Sequence, residues 1–349
     1  MKMKRRSFGM LGLSWLIYPF TAGQSLAGVD TPSLKKQIED FKKRVRRYRR
    51  PYGGTAPWNI KVNGLPRLKE SRKASDLLWL KSPNREGNFN LSFDAYTYPV
   101  YHAVEATGVI NVRTKWSGNL DGKRIPWNAT WTPAPGNDRQ VIILDAANGR
   151  EWNLFQVKVR GSTLHATNGN LVPGDYRSRT KGYPPSRGIG IPYLAMLVRP
   201  EEIAGGRIAH ALSMPVSNPS GRTFVAPATK LENATGRGGI PIGMRFAIDV
   251  TEKDIQTWVS RQRDFTPQLR HAAVVIARAL RDYGWFVTDN AGSASFQFEA
   301  NVSAAGDWYL LGLSQTGSNA RVFPRDLLDG LITRDRVYAI APSNYYTRG

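Results

Sequence analysis

Apolar residues recur at two spacings along this chain, and the change of spacing divides it. Over residues 31–50, Leu34, Ile38, Phe41, Val45 and Tyr48 follow the 3.6-residue period of a helix, with Lys and Arg between them. Thr31-Pro32-Ser33 offers a helix start, and Pro51 with Gly53-Gly54 a stop. From about Trp58 the pattern shortens. Residues 90–93, 99–104, 109–114, 141–144, 152–160, 207–216, 223–228 and 243–248 read as strands. Gly118-Asn119, Asp121-Gly122, Pro135-Gly136-Asn137-Asp138, Asn148-Gly149 and the Asn218-Pro219-Ser220-Gly221 stretch read as turns between them. Pro200 starts a short helix that Gly205-Gly206 ends.

A second helical period runs through 267–283. Leu269, Ala272, Ala273, Val275, Ile276, Ala279, Leu280 and Tyr283 form one stripe, Gly284 stops it, and 285–288 reads as a strand. Residues 161–192 are rich in Gly, Ser, Arg, Tyr and Pro and read as a long loop of the kind that carries function. The whole predicts a mainly β fold: an antiparallel, jelly-roll-like β-sandwich with one long amphipathic helix and a short N-terminal basic helix. Residues 55–349 are expected to form a single β-rich domain after a basic helix and linker at 28–54.

Composition changes this picture in two places. Cysteine is absent, which removes disulfides, thiolate metal sites and Cys nucleophiles. The formal net charge is +22. Residues 31–50 hold nine Lys and Arg against Glu39 and Asp40, and the remainder of the body is also basic. Such a balance favours an acidic partner: an anionic polysaccharide, an anionic lipid surface or nucleic acid. Residues 1–27 read as a signal peptide. Lys2 to Arg6 are basic, an apolar stretch follows, and Ser25-Leu26-Ala27 fits a cleavage site. Arg5-Arg6 before Phe8 gives it a twin-arginine character, although Sec export stays open. Export to the periplasm or beyond makes nucleic acid the least expected partner. No later stretch is long and apolar enough to span a bilayer.

Candidate chemistry is spread along the strands. Asp145 and Glu151 flank the Asn148-Gly149 turn, where both also fit as plain turn residues. Alternation in the next strand places Glu151, Asn153 and Phe155 on one face and Trp152, Leu154 and Gln156 on the other. His210 shares its parity with Ile208, Leu212 and Met214, as either a buried imidazole bonded to a carbonyl or a catalytic base. Asp289 closes a strand where loops gather, as a turn residue or a site carboxylate. Glu201 and Glu202 follow Pro200, where the helix dipole accounts for them. Trp152, Arg187, Tyr193 and Arg199 could meet a sugar or its carboxylate, since Arg binds carboxylates bidentately and aromatic rings stack on sugars. No dinucleotide fingerprint, P-loop, nucleophile elbow or zinc-protease motif is present. His102, His165, His210 and His271 are too dispersed to suggest a metal site, and no cofactor is expected.

The strings P-G-N-D-R-Q-V-I-I-L-D, G-R-E-W-N-L-F-Q, R-P-E-E-I-A-G-G-R-I-A-H-A-L, F-V-A-P-A-T and A-L-R-D-Y-G-W-F-V-T-D-N span residues 135–290. In this order they resemble a group of secreted bacterial proteins of no settled activity, found among polysaccharide-related proteins. The resemblance covers about residues 90–290. It implies a glycan partner only by association, and it carries no catalytic role over. In that group a His near position 139 and an acid near 153 are expected; Arg139 and Asn153 stand here. The expectation is therefore an exported polysaccharide-degrading enzyme. As a hydrolase it would pair Glu151 with Asp289 or Asp145; as a lyase it would use His210 with Tyr193 and an Arg. The alternative is a non-catalytic glycan-binding or envelope assembly protein. Residues 31–50 are a possible contact to an anionic envelope polymer.

Overall fold

The structure is a computed structural model in which residues 31–80, 89–116, 118–232, 238–313 and 326–347 are described. The expected signal peptide at 1–27 lies outside the described residues. The chain divides into two compact units, residues 1–47 and 48–349. In the first, α1 (Thr31–Arg47) realises the basic amphipathic helix. Ion pairs Lys36–Asp40 at 3.1 Å and Lys42–Glu39 at 2.8 Å brace it at the spacing of one turn. Arg44, Arg46 and Arg47 lie at its C-terminal end, where the helix dipole favours cations.

In the second unit a 3-10 turn (Pro57–Asn59) precedes α2 (Ser71–Leu80), then β1 (Asn90–Ser92), β2 (Val100–His102), β3 (Gly108–Thr114) and β4 (Arg124–Trp127). The hairpin of β5 (Val141–Asp145) and β6 (Arg150–Phe155) follows, with β7 (Lys158–Arg160), β8 (Thr163–Ala166) and β9 (Asn168–Leu171) after it. An irregular stretch leads to α3 (Pro200–Ala204), β10 (Leu212–Val216), β11 (Pro219–Val225), β12 (Ile240–Ile242) and β13 (Arg245–Ile248). The chain continues through α4 (Glu252–Ser260), α5 (Pro267–Asp282), β14 (Trp285–Asn290), β15 (Ser295–Gln297), α6 (Asn301–Leu310), β16 (Val337–Ile340) and β17 (Tyr345–Thr347).

Three four-stranded sheets organise this unit: β2-β5-β6-β9, β4-β3-β8-β7 and β10-β14-β13-β16. The expectation of an antiparallel architecture is corrected here, because each of these sheets is mixed. β2 runs parallel to β5, β3 to β8 and β10 to β14. A parallel neighbour needs a crossover connection, and α4 and α5 lie within the one from β10 to β14. Side-chain alternation is the same in either direction, so a period of two reveals a strand without revealing which way its partner runs. Strand content is 27 % and helix content 24 %; α2, α4 and α6 add to the three helices expected at 31–50, from Pro200 and over 267–283.

Local sequence accounts for the elements that were missed. Thr251 caps α4, accepting from the Asp254 N–H while the Asp254 carboxylate bonds back to the Thr251 N–H at 2.8 Å. Glu252 then ties α4 to α5, contacting Arg278 at 2.6 Å and Arg281 at 2.9 Å. α5 begins as predicted, with Thr266 accepting from the Leu269 N–H and Pro267 in its first turn. Its end is enforced by Gly284, whose φ is +65° and whose missing Cβ would lie 1.9 Å from the Phe246 carbonyl oxygen. The helix stripe joins the main apolar core with Phe246, Trp285 and Phe296.

A second apolar cluster joins the two other sheets. It takes Ile110 and Val112 from β3, Ile125 from β4, Val141 and Ile143 from β5, Trp152 and Leu154 from β6 and Leu164 from β8. The alternate residues of β5, Ile142 and Leu144, belong to the main core. This strand is buried on both faces, which is why 141–144 reads as an unbroken apolar run. By contrast, β4-β3-β8-β7 has one apolar face and one exposed face.

Candidate functional site

The residues singled out in the sequence are interior, apart from Asp145 at a turn and the half-buried Asp289. Glu151 is fully buried on β6. Its carboxylate accepts from the Tyr52 hydroxyl, from Asn153 Nδ2 at 2.7 Å and from the Leu194 N–H at 3.2 Å. Burial pushes its pKa up, against these hydrogen bonds. Asn153 in turn accepts the Tyr193 N–H at 3.0 Å, so this face of β6 anchors the segment at 193–194. Trp152, on the opposite face, is core. Asp145 pairs with Arg150 across the hairpin while Glu151 pairs with Leu144, so the two carboxylates project from opposite faces of the sheet. Asp145 accepts from Asn148 Nδ2 at 2.7 Å, a turn role that holds its pKa down.

His210 corrects a second expectation. The strand begins at Leu212, not Arg207, and His210 lies in the bend before it. Here the Ala211 N–H is spent on the Trp58 carbonyl at 2.7 Å, and only from Leu212 is the partner β14. The imidazole is sealed in, with Nε2 at 3.1 Å from Glu202 Oε2 and Nδ1 at 2.8 Å from the Ala211 carbonyl oxygen. Burial opposes the charged ring, but the Glu202 carboxylate outweighs it and the pKa rises. Beside this pair Arg199 Nε donates to Glu299 Oε2 at 2.5 Å, and Ser303 Oγ donates to the other Glu299 oxygen at 2.8 Å. Burial lifts Glu299 to about 7, with Arg199 opposing and Glu201 assisting.

Arg187 is 1 % exposed and its guanidinium is committed to the interior. It donates to Ser213 Oγ, to Gln297 Oε1 at 2.7 Å and to the carbonyl oxygens of Tyr193 and Ala195 at 2.5 and 3.0 Å. It also stacks over Tyr98, 4.7 Å from the ring centroid, and Tyr98 stacks on Tyr193 at 4.5 Å. Trp152, Arg187, Tyr193 and Arg199 were expected to face a sugar; all four side chains are interior. The physical reason is the same for each. A residue type suited to a ligand is equally suited to satisfying buried backbone carbonyls, carboxylates or apolar surface, and here it does so.

Asp289 is the half-buried member of the set. Its Oδ2 accepts the Gly188 N–H at 3.3 Å and its Oδ1 the Asn290 N–H at 2.9 Å. Its acidic neighbour is Glu232, which the sequence did not single out, rather than Glu151. A Cβ at Gly188 would fall 2.4 Å from Asp289 Oδ1 and 2.8 Å from Glu232 Oε2, so both carboxylates close on the same point of backbone. Burial first, and the Glu232 charge second, raise Asp289 to about 7.

The open site lies elsewhere, on the exposed face of β4-β3-β8-β7. The register places Arg113 of β3, His165 of β8 and Lys158 of β7 side by side across three strands. The next outward row along the strands is Arg124, Asn111, Thr163 and Arg160. Their alternates, Val112, Leu164 and Ile125, fill the core beneath. A groove of about 680 Å³ opens over the first row, lined also by Lys115, Asn137, Arg139 and Gln156. Arg139 and Gln156 sit at φ values of 42° and 57°, and the Val157 carbonyl accepts Arg139 Nε at 2.7 Å. Among the described residues, no carboxylate lines the groove. Trp116, next in the chain after Lys115, is 55 % exposed and rests against Phe155, with ring centroids 6.2 Å apart.

The site is hard to read from sequence because Arg113 meets His165 only through the pairing of β3 with β8, 52 positions away, although Lys158 and His165 face each other within the local β7–β8 hairpin. The only local signal was the outward parity of 109–114, which reads Val-Asn-Arg. Among the described residues, no group of three or more His, Asp or Glu is arranged to hold a metal ion. Comparison with protein families, with curated proteins and with solved structures finds no match to this chain.

Proposed function

We propose that this protein binds an anionic polysaccharide across the exposed face of β4-β3-β8-β7, outside the cytoplasm. One observation supports this reading above the others: a groove lined by Arg113, Lys115, Arg139, Lys158 and His165 with no carboxylate among the described residues of its walls. Neighbouring strands lie about 4.8 Å apart, and like-facing residues along a strand about 6.7 Å, so the cations form a grid rather than a point. A grid suits a polymer with repeating negative charge. Exposed Trp116 beside Lys115 adds an aromatic surface for a sugar ring.

The two four-stranded sheets that share an apolar cluster are read as a sandwich that presents this face. The signal-like segment at 1–27 supports export, and the basic helix at 31–50 is read as a second contact to an acidic envelope polymer. Cleavage by Glu151, Asp145 and Asp289 is the less supported reading, because Glu151 is sealed and Asp145 projects from the other side of its sheet.

The test is retention of the chain on immobilised polyuronate, sulfated and neutral polysaccharides, with duplex DNA as a further polyanion. Acidic polysaccharides should retain it at low salt, retention should fall as salt rises, and Arg113→Glu with Lys158→Glu should abolish it. Equal retention on neutral polymer, tighter binding to DNA, or no effect of the two charge reversals would overturn the reading.

A further inference from the structure

We infer that His165 is the base of a β-elimination on a uronate residue of the bound polymer, so that the groove is a lyase site. This inference rests on the anionic-glycan reading above and deepens it. The order of groups across the sheet carries it. Guanidinium, imidazole and ammonium follow one another on β3, β8 and β7 as direct cross-strand partners, Arg113 to His165 and His165 to Lys158. In a 4-linked uronate the loci that elimination must address follow in the same order: the carboxylate on C5, the C5–H, and the C4–O bond to the leaving sugar.

Each group suits its locus. A guanidinium pairs a carboxylate bidentately and withdraws charge from it, which acidifies the adjacent C5–H. An imidazole accepts a proton near neutral pH. An ammonium can donate one to the departing oxygen. In the step, His165 takes the C5 proton, the electron pair left on C5 forms the C4=C5 double bond, and the C4–O bond breaks. The leaving oxygen takes a proton from Lys158, and exchange with solvent restores both side chains. Atoms and charge balance without any further reactant.

The surroundings fit the assignment. All three side chains are exposed, so a chain-like substrate can lie over them. Among the described residues, no carboxylate lines the groove to compete for Arg113. Gln156 and Asn137 supply neutral hydrogen-bonding groups for sugar hydroxyls at its margin. The floor is rigid, since Leu164 and Val112, the neighbours of His165 and Arg113, are fully buried.

The experiment incubates the full chain with polygalacturonate, alginate and hyaluronate, measuring polymer binding and the ultraviolet absorbance of the unsaturated uronate product. The expected result is product from at least one polymer, lost by about 100-fold or more in His165→Gln. That variant should keep the wild-type circular dichroism, and any loss of polymer binding should be far smaller than the loss of product. Lys158→Gln should lower turnover, and Arg113→Lys should weaken it through lost carboxylate pairing. Binding without unsaturated product from any of the three polymers overturns the elimination and leaves the binding reading standing. Product formed equally by His165→Gln removes His165 as the base. Absence of binding to all three polymers overturns both.

Discussion

His210 Nε2 stands 3.1 Å from Glu202 Oε2, and both side chains are sealed from solvent. The other ring nitrogen faces the Ala211 carbonyl oxygen at 2.8 Å. Two acceptors against two ring nitrogens suit the doubly protonated imidazolium, and the raised pKa agrees with an interior ion pair. The same carboxylate takes the Arg199 N–H at 3.1 Å, which places Glu202 at the start of α3 as the knot between helix and bend.

Removing one partner of that pair strands the other. Glu202→Ala should destabilise the fold by about 3–5 kcal/mol, because it leaves a buried imidazolium and a backbone donor unpaired. Glu202→Gln should cost less, since its amide oxygen still accepts. Urea unfolding of both variants checks the order; a change below about 0.5 kcal/mol for Glu202→Ala would refute the interior ion pair.

The raised acids and the raised imidazole give stability a definite pH slope. His210, lifted above its ordinary value of about 6.5, contributes fully below that pH and loses its contribution as pH climbs through the raised value. Glu299 and Asp289, at about 7, keep protons that the unfolded chain releases above about 4, so they act in the same direction. Glu252 runs the other way. Its hydrogen bond to Arg278 heads the causes that hold it at about 2, so its share is present above about 4.3 and lost in stronger acid. At 45 % side-chain exposure that share is screened to at most about 1 kcal/mol. The urea midpoint should therefore decline from about pH 5 to pH 8, with Glu299→Gln flattening part of the decline. A midpoint that rises over this range would contradict the buried acids.

Glu232 and Asp289 repel one another across Gly188 when both are charged. Glu232→Gln should lower the Asp289 pKa and stabilise the protein by roughly 1 kcal/mol at pH 8, with little effect at pH 5. Carbon-detected NMR titration of the Asp289 carboxyl, together with thermal unfolding at both pH values, measures the two effects. An unchanged Asp289 titration would show that burial alone sets its value.

Gly284 ends α5 in a backbone conformation that other residues resist. Gly284→Ala places a Cβ against the Phe246 carbonyl and should cost more than about 1 kcal/mol. Gly238, with open space around its missing Cβ, serves as the comparison site, where Ala should be nearly neutral. Equal stability of the two variants in urea would argue against the close approach of β13 to the helix end.

Much of the fold was legible one segment at a time. The stripe from Leu269 to Leu280 with Thr266 before it and Gly284 after it specifies α5, and the apolar run at 141–144 specifies a central strand. The capping pair Thr251 and Asp254 with Ile255, Trp258 and Val259 marks α4 just as clearly. Directions were not legible, because alternation looks the same in parallel and antiparallel strands. The roles of polar residues were not legible either. Glu151, His210, Arg187 and Arg199 have the chemistry of a site, yet their partners Tyr52, Glu202, Gln297 and Glu299 lie 8 to 110 positions away and turn that chemistry inward.

What the chain determined alone was local: where strands and helices form, through side-chain periodicity, caps and glycines, and the excess of positive charge, through composition. What only the tertiary structure decided was which charges face water. Arg113, His165 and Lys158 are ordinary outward residues of three short strands until β3 pairs with β8 and β8 with β7. Pairing is a long-range choice, set by burying Val112 and Leu164 together, and it is that burial which turns their neighbours outward into one basic row.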